Sequence, residues 1–217
     1  MDFKKGIAKT MNKFILACCL ILIAPLLHAK EWAFDVFLDK SKIGTHTFTF
    51  NDNTLTSKAK FNVKVLFIEA YKYDHSATEQ WAGNCLIALE ANTVENKVVT
   101  KVSGKLEADT FNIKNGNNTQ TLPSCLMTFA YWNPKIVEQK QLLNPQNAEY
   151  LDTVITKLGT ATIDVKAKQT ETTHYKIIGT FKGTKKLNIE LWYNQNNEWV
   201  ALKSVTPEGY NIVYKLK

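Results

Sequence analysis

The chain has 217 residues and a formal net charge of +7 at pH 7, and all 27 of its basic residues are lysines. Recognition of bases and phosphates favours the bidentate guanidinium of arginine, and no basic run here is longer than two residues. This composition excludes nucleic acid as a partner.

The first 29 residues are typical of a secretory signal peptide. Four lysines precede a fourteen-residue apolar run over residues 14–27, and Leu27-His28-Ala29 offers a cleavage site that ends in a small residue. The apolar run is shorter than the ~20 residues of a membrane span, although an uncleaved anchor is the alternative interpretation. We therefore expect export to the periplasm and a single domain over residues 30–217.

Removal of this segment also changes the charge. It takes away four lysines and one aspartate, which leaves 23 lysines against 19 acidic residues. About half of the formal charge thus belongs to the predicted signal peptide. The remaining +4 is compatible with peripheral contact to an anionic membrane surface.

The first half of the predicted domain alternates apolar and polar residues, which is the pattern of antiparallel strands. It predicts a hairpin over residues 32–50, one long strand over 55–73, an extended run over 74–90 with a bulge or a close backbone approach at Gly83, and strands over 97–103 and 105–114. A two-residue turn in the first hairpin would place Asp35 and His46 on one face, as a charge pair.

The alternation stops between residues 124 and 146. Three aromatic residues fall within four positions, and Asn-Pro steps occur at 133–134 and 144–145. Residues 124–131 are compatible with two helical turns, and Pro134 suits the first position of a second short helix that ends near Leu143. We predict a short helical insertion in a β protein.

The second half returns to alternation. It predicts strands over residues 151–157, 161–168, 173–180, 186–193, 199–206 and 209–217. Strands spaced ten to twelve residues apart are the signature of antiparallel meanders. We therefore predict an all-β fold, with a single strongly curved antiparallel sheet or barrel of about 10–12 strands.

Two cysteines remain after the predicted signal peptide, Cys85 and Cys125. An even pair in an exported protein predicts a disulfide; two buried free thiols, or a catalytic or metal-binding cysteine, are the alternatives. Closure of a loop of about forty residues would stabilise the fold by roughly 4 kcal/mol in the chain-entropy model.

No established catalytic, metal-binding or cofactor motif occurs in the chain, so neither a metal nor a cofactor is predicted. The acid–base candidates are His75 with Glu79, and His46 with Asp35. On one strand His75 and Glu79 share a face about 13 Å apart, so they could line one cavity without touching. Structural roles for both histidines are the alternative interpretation.

The aromatic residues of the insertion are candidates for ligand binding. Phe129, Tyr131, Trp132 and Asn133 cluster there, and Trp81 lies on a predicted strand. Aromatic rings with one polar end suit lipids and other amphiphiles. Packing in the protein core is the alternative.

The run Phe129-Ala130-Tyr131-Trp132-Asn133-Pro134, followed by Leu142-Leu143-Asn144-Pro145-Gln146, resembles the signature of an uncharacterised family of exported bacterial proteins. That resemblance implies export and a β fold but no activity. The C-terminal half is also similar to periplasmic half-barrels that carry lipids and lipoproteins, through Leu191-Trp192-Tyr193 and Trp199-Val200.

Three functions remain open from the sequence. The first is non-enzymatic binding of an amphiphilic ligand or a lipidated partner, with residues 124–146 as a fixed plug beside a pocket. The second is an envelope hydrolase or isomerase that uses His75 or His46 with a carboxylate. The third is a structural or assembly factor that docks another envelope protein.

Overall fold

This computed structural model describes residues 29–65, 68–206 and 208–217. The predicted signal peptide lies outside the described residues, apart from its last one. Within this part of the chain, fourteen strands form one antiparallel sheet: β1 (Lys30–Leu38), β2 (Ser41–Asn51), β3 (Thr54–Val65), β4 (Ile68–Ala82), β5 (Cys85–Glu95), β6 (Val98–Glu107), β7 (Thr110–Asn115), β8 (Asn118–Pro123), β9 (Gln141–Leu143), β10 (Tyr150–Val165), β11 (Lys168–Phe181), β12 (Thr184–Asn194), β13 (Trp199–Val205) and β14 (Asn211–Leu216).

The strand order places the start and the end of the fold side by side. The sheet runs β8-β7-β6-β5-β4-β3-β2-β1-β14-β13-β12-β11-β10-β9, so β1 pairs with β14 in the middle. Its two edges, β8 and β9, are consecutive along the chain. The all-β fold with a strongly curved sheet is confirmed, with more strands than the predicted 10–12.

Side chains link the two ends of the sheet. Asn115 Nδ2 donates to the carbonyl of Asn147 at 2.9 Å, and Gln120 Nε2 donates to the carbonyl of Ala148 at 3.3 Å. These bonds join β7 and β8 to the β9–β10 connection. The sheet is therefore open in its backbone pairing but curved enough for its ends to meet.

The inserted segment (residues 124–146) crosses the interior of this curved sheet. Its backbone bonds to several strands: Leu86 N donates to Leu126 O at 2.9 Å, and Leu143 N donates to Met127 O at 2.9 Å. Tyr193 Oη of β12 donates to the carbonyl of Tyr131 at 2.7 Å. Strands β5 and β12, from the two halves of the sheet, therefore hold the segment, and its own strand β9 adds the bond at Leu143.

Of the two helices predicted in this segment, the first is wrong, and the second begins at Pro134 as predicted but ends at Glu138 instead of near Leu143. Residues 124–131 form turns and a bridge between Thr128 and Leu143, and one 3-10 helix spans Pro134–Glu138. Five consecutive side chains are buried, those of residues 126–130. A helix on one face of a sheet would expose part of each turn, so burial on all sides favours an irregular segment bonded to its neighbours.

Several predicted strand boundaries also change. The long strand over residues 55–73 is wrong, because β3 ends at Val65 and β4 begins at Ile68, its direct partner. No glycine, proline, asparagine or aspartate marks that reversal. Conversely, the predicted break near Gly159 is a bulge inside one strand, where the glycine takes φ 123°.

Glycines account for two further corrections. Gly83 lies in the turn between β4 and β5 with φ 61°, rather than in a bulge. Gly104 lies within β6 and does not separate two strands. A Cβ at this position would lie 2.5 Å from the Phe111 ring, so the close approach of that ring requires glycine.

Candidate functional site

The predicted disulfide is confirmed. Cys85 at the start of β5 is bonded to Cys125 at the start of the inserted segment, with their Cα atoms 4.7 Å apart and a separation of 40 in sequence. The bond anchors the segment to the sheet where it enters the interior.

The predicted ligand-binding aromatics lie together as packed interior. Trp132 contacts Phe50 and Trp81 with ring centroids 4.5 and 5.4 Å apart, and the Tyr131 ring lies 5.3 Å from that of Trp199. Phe129 and Trp81 are buried. None of the main grooves on the described part of the chain is lined by the four predicted binding aromatics, Trp81, Phe129, Tyr131 and Trp132.

Asn133 has a clear structural role in this packing. Its Oδ1 accepts from the backbone N–H of Lys135 at 3.0 Å and caps the 3-10 helix. Its Nδ2 donates to Oδ1 of Asn84, in the turn after β4, at 3.0 Å. Both ends of this amide are therefore committed within the protein.

The predicted pair of Asp35 with His46 is wrong. A bulge between Val36 and Phe37 shifts the register, so Asp35 lies opposite Thr45. A one-residue shift moves every following side chain to the other face of the sheet. Asp35 instead forms an ion pair with Lys42 at 2.9 Å.

His46 points inward and bonds to hydroxyl groups. Its Nε2 lies 2.7 Å from Ser57 Oγ, and its Nδ1 lies 3.1 Å from Tyr214 Oη. Burial, and then the charge of His75, lower the pKa of His46 to about 3. Such a pKa leaves a weak base, so the Ser57–His46 contact lacks the basicity that would activate a nucleophile at neutral pH.

His75 and Glu79 share the inner face of β4, as the alternation indicates. His75 Nδ1 lies 2.9 Å from Thr93 Oγ1. Burial lowers the pKa of His75 to about 4, although Asp74 acts in the opposite direction. Neither His75 nor His46 has a carboxylate partner among the described residues, so the geometry required by the predicted enzyme is absent there.

Glu79 is a buried carboxyl with few polar neighbours. Burial raises the pKa of this carboxyl to about 7, although the polar groups of Thr128 and Trp81 beside it act in the opposite direction. Oε2 of Glu79, Nε1 of Trp81 and Oγ1 of Thr128 nevertheless reach no hydrogen bond of full geometry among the described residues. The carboxyl therefore lies at the contact between β4 and the inserted segment without strong compensation.

The histidine that does meet a carboxylate is His174, for which the sequence predicted no role. Its Nε2 lies 2.8 Å from Glu190 Oε2, and its ring stacks on Trp192 at 4.3 Å. His174 lies opposite Trp192 in the β11–β12 pair, so Glu190 is its diagonal neighbour on the outer face. Only knowledge of that register could have identified the pair.

The outer face of β12–β14 carries a groove of about 540 Å³. We call it the outer groove, and its sheet side includes Trp192, Ala201, Lys203, Val213 and Lys215. Its volume is within the roughly 300–1,000 Å³ typical of small-molecule sites.

Strand register explains the depression. Ala201 lies directly between Trp192 on β12 and Lys215 on β14. A methyl group flanked by two long side chains leaves space above the sheet. The next row across the same strands is Glu190, Lys203 and Val213.

The end of the β10–β11 hairpin forms the other wall. Pairing between β11 and β12 ends at Thr172 with Asn194, whereas β10 and β11 continue to Val165 with Lys168. This two-stranded extension, the ribbon (residues 161–172), adds lining residues to the outer groove: Ile163, Asp164, Lys166 and Ala167.

Another groove of similar size, about 530 Å³, lies over β2–β4. Its lining is mainly threonine, lysine, serine and aspartate. It lacks the aromatic and aliphatic floor of the outer groove, and a solvated sheet face accounts for it. The outer groove is therefore the better candidate for an amphiphile.

Two searches over the described residues find nothing. No helix among them is both long and apolar enough to cross a bilayer. No group of three or more histidine, cysteine or acidic side chains in the same residues is arranged to hold a metal ion.

Comparison with known proteins agrees with the fold and with the lack of an assigned activity. Residues 34–217 match the family described as "Domain of unknown function (DUF6134)". The structure is similar to the crystal structure of a β-barrel-like protein of domain of unknown function DUF1849 from Brucella abortus, with a TM-score of 0.64 and 15% identity over 88% of this chain and 96% of that one. At this identity the likeness shows the fold alone. No curated protein matches the chain.

Proposed function

The chain belongs to the DUF6134 family of unknown function, and we propose that it is an exported, non-enzymatic protein that binds an amphiphilic ligand in the outer groove. The observation that carries this proposal is the groove itself. It combines an apolar floor with charged groups at its rim.

The floor suits an apolar chain. Trp192, Ala201 and Val213 lie on one face of three adjacent strands, and Ile163 of the ribbon adds an aliphatic side chain. Burial of each methylene group of a ligand there would contribute about 0.8 kcal/mol. Several methylenes are therefore enough for measurable binding.

The interior is a poorer place for the same ligand. Trp81, Phe129 and Trp132 fill it, and a ligand would have to displace them. We propose that the inserted segment is a fixed plug and that the ligand binds outside it. In this proposal the aromatic signature maintains the sheet that carries the groove.

Export is supported by the sequence and by the disulfide. The N-terminal lysines and the apolar run are those of a secretory signal peptide. Disulfides such as Cys85–Cys125 persist in oxidising compartments, among them the bacterial periplasm. We therefore propose the periplasm as the place of action.

The test compares two alanine variants. Ala201→Phe places a ring between Trp192 and Lys215 and should abolish binding. Ala88→Phe is the matched control, because Ala88 is a half-buried alanine with Lys105 as its partner across the β5–β6 pair, away from the groove. Urea unfolding would verify that both variants fold.

Native mass spectrometry of protein purified from the periplasm supplies the first measurement. We expect a co-purified amphiphile with the wild type and with Ala88→Phe, and none with Ala201→Phe. Calorimetric titration of the stripped protein with decanoate and decanol is the second. Lack of binding by both ligands, together with a ligand-free native mass, would refute the proposed function.

A further inference from the structure

Positive charges outnumber negative charges around the outer groove. Lys166, Lys203 and Lys215 line it, and Asp164 is the acidic residue among the described lining residues. The carboxylates that lie nearest to the two sheet lysines in the strand register are engaged elsewhere.

Lys203 lies opposite Glu190 in the β12–β13 pair. That position would normally favour an ion pair. Glu190 Oε2 instead lies 2.8 Å from His174 Nε2, and Lys203 has no ion pair within 4.0 Å among the described residues. The histidine thus takes the carboxylate that could have neutralised this lysine.

Lys215 shows the same arrangement on the next strand. It lies opposite Asp35 of β1, but Asp35 pairs with Lys42 at 2.9 Å. The Lys215 ammonium lies 4.9 Å from the centroid of the Phe37 ring, and Lys215 forms no ion pair within 4.0 Å in the described part of the chain.

The two ammonium groups are close enough to act together. Lys203 pairs with Val213, and Ala201 pairs with Lys215, so the lysines are diagonal neighbours on one face of β13–β14. Diagonal neighbours in an antiparallel pair have Cβ atoms roughly 7 Å apart. Flexible lysine side chains at that spacing can reach the same small anion.

We propose that the outer groove selects single-chain amphiphiles with an anionic head group, of which a fatty acid is the type. Lys203 and Lys215 bind the head group, and the acyl chain lies over Ala201 and Val213 beneath the ribbon. This inference rests on the proposed function and adds the ligand class to it. The groove volume, about 540 Å³, suits one acyl chain better than two.

The ribbon contributes a third cation at the open side. Lys166 is exposed near the end of the hairpin and lines the groove opposite the sheet. Asp164 on the same ribbon would repel a carboxylate at that end. The charges therefore favour a head group at the sheet lysines, away from Asp164, and an acyl chain that runs beneath the ribbon.

The experiment uses three ligands with the same chain and different head groups: decanoate, decanol and decylammonium. We expect decanoate to bind the wild-type protein about tenfold more tightly than decanol, the difference that one to two charge-assisted contacts supply. Decylammonium should bind most weakly of the three.

Lysine variants then locate the selectivity. Lys203→Gln and Lys215→Gln should each weaken decanoate binding roughly threefold to fivefold and leave decanol binding unchanged. Lys101→Gln, which removes an exposed lysine from β6, is the matched control and should change neither. A merely structural role for the lysines would weaken both ligands equally.

The two proposals fail in different ways. Equal affinity for decanoate and decanol, or an unchanged preference in the Lys203→Gln/Lys215→Gln double variant, would overturn the assignment of an anionic ligand but leave the groove as a binding site. Absence of binding by all three ligands, together with a ligand-free native mass, would overturn the proposed function itself.

Discussion

Replacement of the buried Glu79 by glutamine should change how the stability of the protein depends on pH. The carboxyl is buried between β4 and the inserted segment, and burial raises its pKa from its ordinary 4.5 to about 7. A carboxyl whose pKa is raised on folding binds more protons in the folded state than in the unfolded state. Its stabilising contribution is therefore complete below pH 4.5 and is lost as the pH rises through 7.

The magnitude follows from those two values. Each pKa unit corresponds to about 1.36 kcal/mol, so a rise from 4.5 to about 7 lowers the free energy of unfolding by about 3 kcal/mol at pH 8. The same relation leaves a loss of about 1 kcal/mol at pH 5. Glu79→Gln removes this titration, so the difference in the free energy of unfolding between variant and wild type should grow in favour of the variant by about 2–3 kcal/mol from pH 5 to pH 8.

Urea unfolding followed by tryptophan fluorescence measures this difference at pH 5, 6, 7 and 8. The buried histidines titrate in both proteins and cancel in the comparison. Any effect of the new amide that does not depend on pH would shift the free energy of unfolding equally at all four pH values, and it would leave the dependence on pH unchanged. Glu90→Gln, on the outer face of β5, controls for the loss of one negative charge. Parallel curves for the wild type and Glu79→Gln would refute the reasoning.

Three further predictions concern the rest of the fold. Burial lowers the pKa of His75 from 6.5 to about 4, so the unfolded state binds more protons and the free energy of unfolding falls as the pH drops below 6.5. His75→Gln should reduce that fall by about 3 kcal/mol between pH 7 and pH 4. The same decrease in both proteins, measured by urea unfolding, would contradict this. The Cys85→Ser/Cys125→Ser variant should lose about 4 kcal/mol, measured as a lower urea midpoint, and a reductant should then have no effect on it. Gly104→Ala should cost about 1–3 kcal/mol because its Cβ would meet the Phe111 ring. The same substitution should cost much less in a Phe111→Leu background, and an equal cost in both backgrounds would contradict the steric cause.

Periodicity was enough to predict the class of the fold. On β4, for example, Tyr73, His75, Ala77, Glu79 and Trp81 alternate strictly between buried positions and exposed neighbours. Such a pattern identifies a strand whatever its partners are. The cysteine pair likewise needed no structural knowledge beyond the expectation of export.

Strand boundaries and register were beyond the same reasoning. The reversal between Val65 and Ile68 contains no residue that marks a turn, so a continuous strand was the natural interpretation. The bulge near Phe37 adds one residue to one strand, which turned His46 inward and separated it from Asp35. A bulge of this kind leaves no mark in the pattern of a single sequence.

The outer groove depends on register even more strongly. No motif in the sequence connects the residues of its central row, which are Trp192, Ala201 and Lys215. They lie side by side only because of the register in which β12, β13 and β14 pair. The ribbon adds its residues from a fourth part of the chain. The aromatic signature drew the functional prediction to the interior, where those rings serve to fill space.

The pairing of β1 with β14 has a consequence for how the protein is made. The chain forms two meanders, β1–β8 and β9–β14, whose hairpins can each form between neighbouring strands as they emerge. The seam between them, Phe34 with Leu216 through Leu38 with Ile212, needs the last strand to be synthesised. Until then β1 presents an unpaired edge, which is a hazard for aggregation. A circular permutant that joins residue 217 to residue 30 through a short linker and opens the chain at residues 139–140, between β8 and β9, would make every pair of neighbouring strands consecutive along the chain. It should refold faster than the natural order of strands allows.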